Sequence, residues 1–458
     1  MPKKYFILTL GCQMNHSDSE RIRAVLESMG WENTEKEDQA DLVIVNSCSV
    51  RQTAIDRIYG RIRKWEKIKK ERDFKILLTG CVLPHDRNKM EKSFDWFLPI
   101  FEIGKLPKLL EGKDSFEGET YFEIKPKNLS SFSANVPIMT GCDKFCSYCA
   151  VPYTRGREVS RPYNEIFKEV EDLVQRGYKE IILLGQNVNS YMGASDHEIY
   201  SRHVGRLGRQ LKSLKINDQL DSTNCKVENT ITFPELLKKV ASISGDFWIR
   251  FVSSHPYDMS DDLIEVMLKE SKVCSQINLA AQSGDDEVLK RMNRHYTSAH
   301  FLERVQKLKK AIPEIMISTD IIVGFCGETK EAFQNTVKLF QKVEFEMAYI
   351  SKYSPRPGTL AQKQFKDDIP FSVKKEREKK LTDILKQINL RKNKSLVGKR
   401  RRVLVDKAKK DSQGIVWNLG RTEGLKPVKF AAGRDFTGEF VEVEIVSAGP
   451  WSLESRLA

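Results

Sequence analysis

Three times within the first 100 residues the same pattern recurs: a continuous apolar run of strand length, a turn, and a cysteine. YFILTL (5–10) leads to Gly11 and Cys12, LVIVNS (42–47) to Cys48, and KILLTG (75–80) to Cys81. Runs that are apolar throughout, rather than alternating, belong to strands buried on both faces and so to a parallel sheet. The intervening stretches have helical spacing. The first is predicted to open on Ser17 and Glu20 as a capping box, and the second to run from about Arg51 to Lys70. The result is βαβαβ, and open α/β sheets build their sites at the carboxyl ends of the strands, so the three thiols are predicted to converge on one crevice.

From about Glu111 the periodicity dissolves into Lys-, Ser- and Asn-rich sequence, predicting a linker over 116–135 with one strand near Tyr121. Six further strand candidates follow: PIMT (137–140), EIILLG (180–185), FWIRFV (247–252), QINLA (276–280), ISTDIIVGF (317–325) and MAYISK (347–352). Helical stretches such as 164–176, 261–270, 298–311 and 330–342 separate them, which predicts a parallel, partial (βα)6 barrel. Residues 193–230 fit neither element and read as an inserted excursion. A charged helix over 371–396 precedes short alternating strands divided by glycine-bearing turns, the pattern of a small antiparallel β-barrel. The chain is therefore read as α/β: an amino-terminal parallel α/β domain (1–115), a linker (116–135), a central barrel-like domain (136–370), a connecting helix (371–396) and a carboxyl-terminal β-barrel (397–458).

Charge sharpens this picture. The 458 residues carry 76 Lys and Arg against 63 Asp and Glu, a net charge of +13, which favours an anionic partner. Between Lys366 and Lys410 there are 17 basic against 6 acidic residues, beside the small barrel, and this makes RNA the leading candidate. Apolar runs stay short of the ~18 residues of a membrane span and the start has no cleavage pattern, so a soluble, cytoplasmic protein without a membrane partner is expected. Nine cysteines, several at strand ends, suit ligands in a reducing compartment better than disulfides.

The stretch GCDKFCSYC (141–149) places Cys142, Cys146 and Cys149 in one loop after the first barrel strand, on the functional rim of such a fold. A structural zinc site with a distant fourth ligand is one reading, although zinc loops usually pair C-x2-C with a second pair at short range. The other is a 4Fe–4S cluster held at three corners, leaving the fourth iron free for a substrate.

The C-x3-C-x-Φ-C spacing, with Tyr148 as the aromatic, resembles the loop of radical S-adenosylmethionine enzymes. GCDKFCSYCAVPYTRGREVSRP, LLGQNVNSY, IRFVSSHPYDMSDDLIEVM, AQSGDDEVLKRMNRHY, STDIIVGF with GET, and YSPRPGT extend the likeness to the methylthiotransferase family. So do LGCQMNHSDSER, VNSCSVR and TGC in the first domain. GKRRRVLVD, GRTEG and WSLESRL resemble that family's TRAM domain, an RNA-binding barrel. The likeness covers nearly the whole chain outside 193–230.

The resemblance implies two 4Fe–4S clusters, each with an open iron. Cys142, Cys146 and Cys149 would hold the cluster that reduces S-adenosylmethionine to a 5'-deoxyadenosyl radical. Cys12, Cys48 and Cys81 would hold an auxiliary cluster carrying the sulfur to be methylated and inserted, with a second S-adenosylmethionine as methyl donor. Tyr148, Asn187, Gln282, Ser283 and Gly324 would contact S-adenosylmethionine. Turn chemistry equally accounts for Gln282 and Ser283, a tight corner for Gly324 and capping for Asn187. Arg400, Arg401 and Arg402 are the candidate RNA contacts. Cys225, Cys274 and Cys326 are read as inert, and Cys326 and Ala280 stand where the family commonly has proline.

Radical chemistry answers a physical need, because a C–H bond on an aromatic base is not opened by positioned acid–base catalysis worth roughly 10² to 10⁴-fold. Family members act on N6-isopentenyladenosine or N6-threonylcarbamoyladenosine in the tRNA anticodon loop, or on a ribosomal protein. Gln13, Met14 and Asn15 after Cys12, with the GCDKFC and GQNVNSY blocks, resemble the first group. A flavodoxin or ferredoxin as electron donor and a sulfur or cluster source are then implied partners. A non-enzymatic, zinc-containing RNA-binding protein is the alternative from another class.

Overall fold

The computed structural model describes residues 2–49, 52–112, 121–195 and 229–458. Most of the 193–230 excursion, Cys225 with it, and the first residues of the expected linker lie outside the described residues. The first domain is a five-stranded, all-parallel sheet in the order Glu32–Asn33, Lys4–Thr9, Leu42–Cys48, Lys75–Cys81, Trp96–Phe97. The three predicted strands are its centre. Their continuous apolar sequence is explained by two packed faces: Tyr5, Ile44 and Leu77 lie in one core, Val43, Val45, Ile76 and Leu78 in the other. Cys48 and Cys81 stand directly opposite each other as register partners at the carboxyl ends of their strands.

Two local expectations are corrected. The first helix is Gln13–Ser28, not one opening at Ser17. Cys12 is its N-cap, and Asn15 Oδ1 accepts the Cys12 backbone N–H at 3.2 Å. The strand turns into the helix within a few residues, so Ser17 and Glu20 already lie in its interior and are buried. Near Tyr121 there is a turn rather than a strand. Tyr121, Phe122 and Ile124 are nonetheless buried in the first domain's core, so this stretch is a packed strap.

The central domain has six parallel strands in sequence order: Ser133–Pro137, Glu180–Leu184, Trp248–Phe251, Gln276–Asn278, Met316–Val323 and Met347–Lys352. They form two three-stranded halves joined by bridges from Ile249 to Val273 and from Ser254 to Leu279. The first strand lies a few residues before the predicted PIMT. Met139–Thr140 instead pairs with Val159–Ser160 in a short hairpin that ties off the base of the cysteine loop. Alternate residues split between two environments. Ile181 and Leu183 join the large core under the helices, while Ile182 and Leu184 pack with Met14 from the first domain's helix.

A 24-residue helix, Phe371–Lys394, leads to a closed five-stranded barrel beginning at Arg400. This barrel docks at the amino-terminal ends of the central strands. There the buried Glu180 carboxylate accepts from Arg250 Nε at 2.7 Å, Arg421 Nη2 at 3.1 Å and Ser133 Oγ at 2.6 Å. Arg250 in turn donates to the carbonyls of Thr422 and Glu423, and Glu423 Oε1 accepts the Ser275 N–H at 2.8 Å. The GRTEG turn is thus a plug in the base of the central domain.

Candidate active site

At the opposite, carboxyl ends of the strands two thiol triads lie on neighbouring rims. In the amino-terminal triad Gly80 takes φ +94°, and a Cβ there would fall 2.4 Å from the Ser47 carbonyl oxygen. Glycine therefore lets the Cys48 and Cys81 strand ends stay in contact. Asn15 ties in the third member: its Nδ2 donates to Asn46 Oδ1 at 3.0 Å and to the Ser47 carbonyl at 3.1 Å, while its Oδ1 holds the Cys12 amide. Burial pushes the Cys81 thiol up to about 12, with Arg155 opposing and Cys48 and Cys12 close enough to add to the rise.

The second triad sits in the loop that the Met139–Thr140 hairpin closes. Burial lifts the Cys142 thiol to about 12 and that of Cys149 higher still, with Cys146 adding to both. An N–H group points at each sulfur here: the Lys144 backbone N–H at Cys142, Val151 N–H at Cys149 Sγ at 3.4 Å, and Arg294 Nη1 at Cys146 Sγ at 3.4 Å. Arg294 is buried and also donates to the Ala280 carbonyl and the Tyr296 hydroxyl.

Arg155 joins the two rims. From the second triad's loop it reaches into the first domain, where its Nε donates to Cys81 Sγ at 2.9 Å and its Nη2 to Asp18 Oδ2 at 2.5 Å. Both side chains are almost wholly buried, 3% and 0% exposed. Removing one partner from such a pair costs roughly 3–5 kcal/mol, because the other charge is left buried alone. Arg356, from the YSPRPGT stretch, feels the field of Cys48 and donates to Gln52 Oε1 at 2.5 Å.

Beside the second triad the rim is polar inside and aromatic outside. Lys144 Nζ meets Asp258 Oδ1 at 2.7 Å, and Asn187 Nδ2 donates to Asp258 Oδ2 at 2.7 Å. Burial raises Glu158 to about 7 although Ser190 Oγ donates to it at 2.8 Å. The side-chain oxygens of Gln186, Asn187, Asn189 and Ser254 are buried without a hydrogen-bond partner, an unusual concentration of idle acceptors. His255 is held neutral, chiefly by burial, and its Nδ1 accepts the Tyr257 N–H. Outside, Tyr257 and Phe145 are 57% and 38% exposed, with Lys144 over one ring at 5.1 Å and Arg157 over the other at 5.2 Å.

The other residues singled out from sequence have varied fates. Tyr148 packs edge-on against Phe325 at 6.4 Å, next to the second triad. Gln282 takes φ +64° and bridges the strand at Asp320 and Ile322 through its backbone. Ser283 is buried against Thr336, and Gly324 is covered by Lys374, which a Cβ would meet at 2.3 Å. Arg401 pairs with Glu314 and Arg402 with Asp246, both at the docking face, where central-domain acids confront the first strand of the barrel. Arg400 is exposed. Asp18, Arg155, Arg294 and Asp258 were not singled out; within VPYTRGREVS and NRHY the only signal was a charge flanked by apolar or small residues.

The donor set fits iron–sulfur clusters. Burial disfavours the anion at Cys81 in one triad and at Cys142 and Cys149 in the other, so a thiolate there requires a cationic partner, and each triad has a buried guanidinium at one sulfur.

The profile of the radical SAM superfamily matches residues 136–340, and that of uncharacterized protein family UPF0004 matches residues 4–100. A tRNA-2-methylthio-N(6)-dimethylallyladenosine synthase of Clostridium botulinum is 39% identical over 98% of this chain and 96% of its own. The Treponema denticola protein of the same name is 39% identical over 96% of this chain and 97% of its own. Among solved structures, the cobalamin-dependent S-adenosylmethionine radical enzyme OxsB shares 11% identity over 83% of this chain and 56% of its own, with a TM-score of 0.46. Identity at this level along nearly the full length of both chains, with the radical SAM match over the central domain, places the protein in the radical SAM methylthiotransferase family.

Proposed function

We propose that the protein is a cytoplasmic tRNA methylthiotransferase that converts N6-isopentenyladenosine at position 37 of the anticodon loop to its 2-methylthio derivative. The observation that carries this reading is the pairing of two thiol triads on adjoining rims, spanned by residues 151–155. The names of relatives matched along almost the whole chain support the choice of base. Cys142, Cys146 and Cys149 hold one 4Fe–4S cluster and Cys12, Cys48 and Cys81 the other. These groups, with two molecules of S-adenosylmethionine and electrons from a flavodoxin or ferredoxin, supply radical formation and sulfur transfer; a separate sulfur or cluster source restores the sulfur.

The chain's own part is binding and positioning. Gln186, Asn187 and Asn189 offer oxygens to the hydroxyl and amino groups of a bound nucleoside, while the Asp258 ion pair with Lys144 fixes the orientation of Asn187. Tyr257 and Phe145, each under a cation, are stacking platforms for unpaired bases, and a loop base leaves its stack at modest cost. Gln282 and Tyr148 remain positions for the cofactor. Ser283 and Gly324 rest on family resemblance alone.

Mass spectrometry of tRNA nucleosides tests the assignment. Cells lacking the gene lose 2-methylthio-N6-isopentenyladenosine and accumulate the unthiolated base; retention of the thiolated base contradicts it. Loss of a 2-methylthio threonylcarbamoyl nucleoside instead would move the substrate to that base.

A further inference from the structure

The five-residue segment 151–155 touches one triad at each end. Val151 gives its N–H to Cys149 Sγ at 3.4 Å, one short helix follows, and Arg155 gives its Nε to Cys81 Sγ at 2.9 Å. The rest of the guanidinium is committed: Nη2 and Nη1 lie 2.5 and 3.5 Å from the two Asp18 oxygens. Asp18 is steadied in turn by the Tyr121 hydroxyl at 2.5 Å. With Asp18 gripping one edge of the fork, the Nε edge has a single direction in which to point, and Cys81 Sγ lies there.

We infer that Arg155 is a positioning residue of the auxiliary site: its Nε–H is aimed at Cys81 Sγ and sets the reduction potential of the cluster bound there, with Asp18 as its counter-charge. This rests on the reading above that Cys81 is a cluster ligand. Hydrogen bonds to sulfur and nearby net charge are established determinants of iron–sulfur potentials. A fixed cation beside the sulfur favours the reduced form, which carries one more negative charge, and so raises the potential. Asp18 works against it. Burial keeps water from screening either charge. Because Arg155 arises from the loop that carries the other triad, the state of the auxiliary site depends on how closely the two domains are docked.

The test uses the full chain, reconstituted anaerobically, with Cys142, Cys146 and Cys149 replaced by alanine so that only the amino-terminal cluster is present. That background should hold about four irons. If it holds none, the cluster assignment itself fails, a result distinct from failure of the Arg155 inference. Redox titration followed by electron paramagnetic resonance is then compared for Arg155→Gln, Arg155→Lys and Asp18→Asn. Loss of the cation should move the midpoint to a more negative value and loss of the anion to a less negative one, with Arg155→Lys between wild type and Arg155→Gln. If Arg155→Gln fails to retain a cluster, Asp18→Asn decides, since it leaves the cation in place and should still shift the midpoint upward. A merely structural salt bridge would lower the melting temperature of the variants while leaving the midpoints unmoved, and that result overturns the inference.

Discussion

Gly141, one residue before Cys142, takes φ +75°, and a Cβ there would lie 1.9 Å from the Arg157 carbonyl oxygen. Alanine could neither adopt that conformation comfortably nor fit, so Gly141→Ala should displace the loop. The expected result is loss of about four of eight irons, with the amino-terminal cluster kept, as read by iron and sulfide analysis. Tyr257 makes a different prediction. Its ring is exposed and has Lys144 above it, so Tyr257→Ala should weaken tRNA binding by about 1–3 kcal/mol while leaving folding intact. Binding of an anticodon stem-loop and the melting temperature check the two halves. At this scale the sequence was readable for the cysteines, whose spacing and strand-end positions are local. It was not readable for Arg155 and Asp18, which meet across 137 positions, nor for Asn15, whose work is to anchor the Cys12 turn.

Strands and long helices were legible because continuous apolar runs and helical periodicity are properties of a few neighbouring residues. Junctions were not. The helix that begins at Gln13 was expected four residues later because Ser17 and Glu20 match a capping pattern, whereas a cysteine and an asparagine cap it. The GRTEG turn, read as part of an RNA-binding barrel, does belong to the barrel, but nothing in its sequence signalled that its peptide carbonyls and Glu423 also seal the base of the central strands. That seal should respond to acid. Burial pushes the Glu180 carboxyl up, but Arg421 and Arg250 outweigh it and hold the group below its ordinary 4.5. A depressed folded-state value means that the contribution to stability is present above about pH 4.5 and disappears as pH falls through the lower folded value. Glu180→Gln, which leaves two arginines without their shared anion, should cost roughly 3–5 kcal/mol at neutral pH. Thermal unfolding across pH should show the variant and wild type converging below pH 4.5.

For the molecule as a whole, the three folding units have distinct stations around the central sheet. The first domain brings its thiols to the carboxyl ends of the strands and sets Met14 against Ile182 and Leu184. The small barrel holds the amino ends, where Arg401 and Arg402 are engaged with Glu314 and Asp246. Among the described residues no helix is long and apolar enough to cross a membrane. The +13 charge and the aromatic rim near the second triad support an RNA substrate reaching the cysteine side of the sheet. Everything in that account depends on two clusters, each held by three protein thiolates. Iron and sulfide analysis with Mössbauer spectroscopy on the anaerobic full-length protein tests this most directly. The account predicts about eight irons per chain, falling to about four when Cys12, Cys48 and Cys81 are replaced by alanine and likewise when Cys142, Cys146 and Cys149 are. About four irons in the unaltered protein, or stoichiometric zinc in their place, would contradict it.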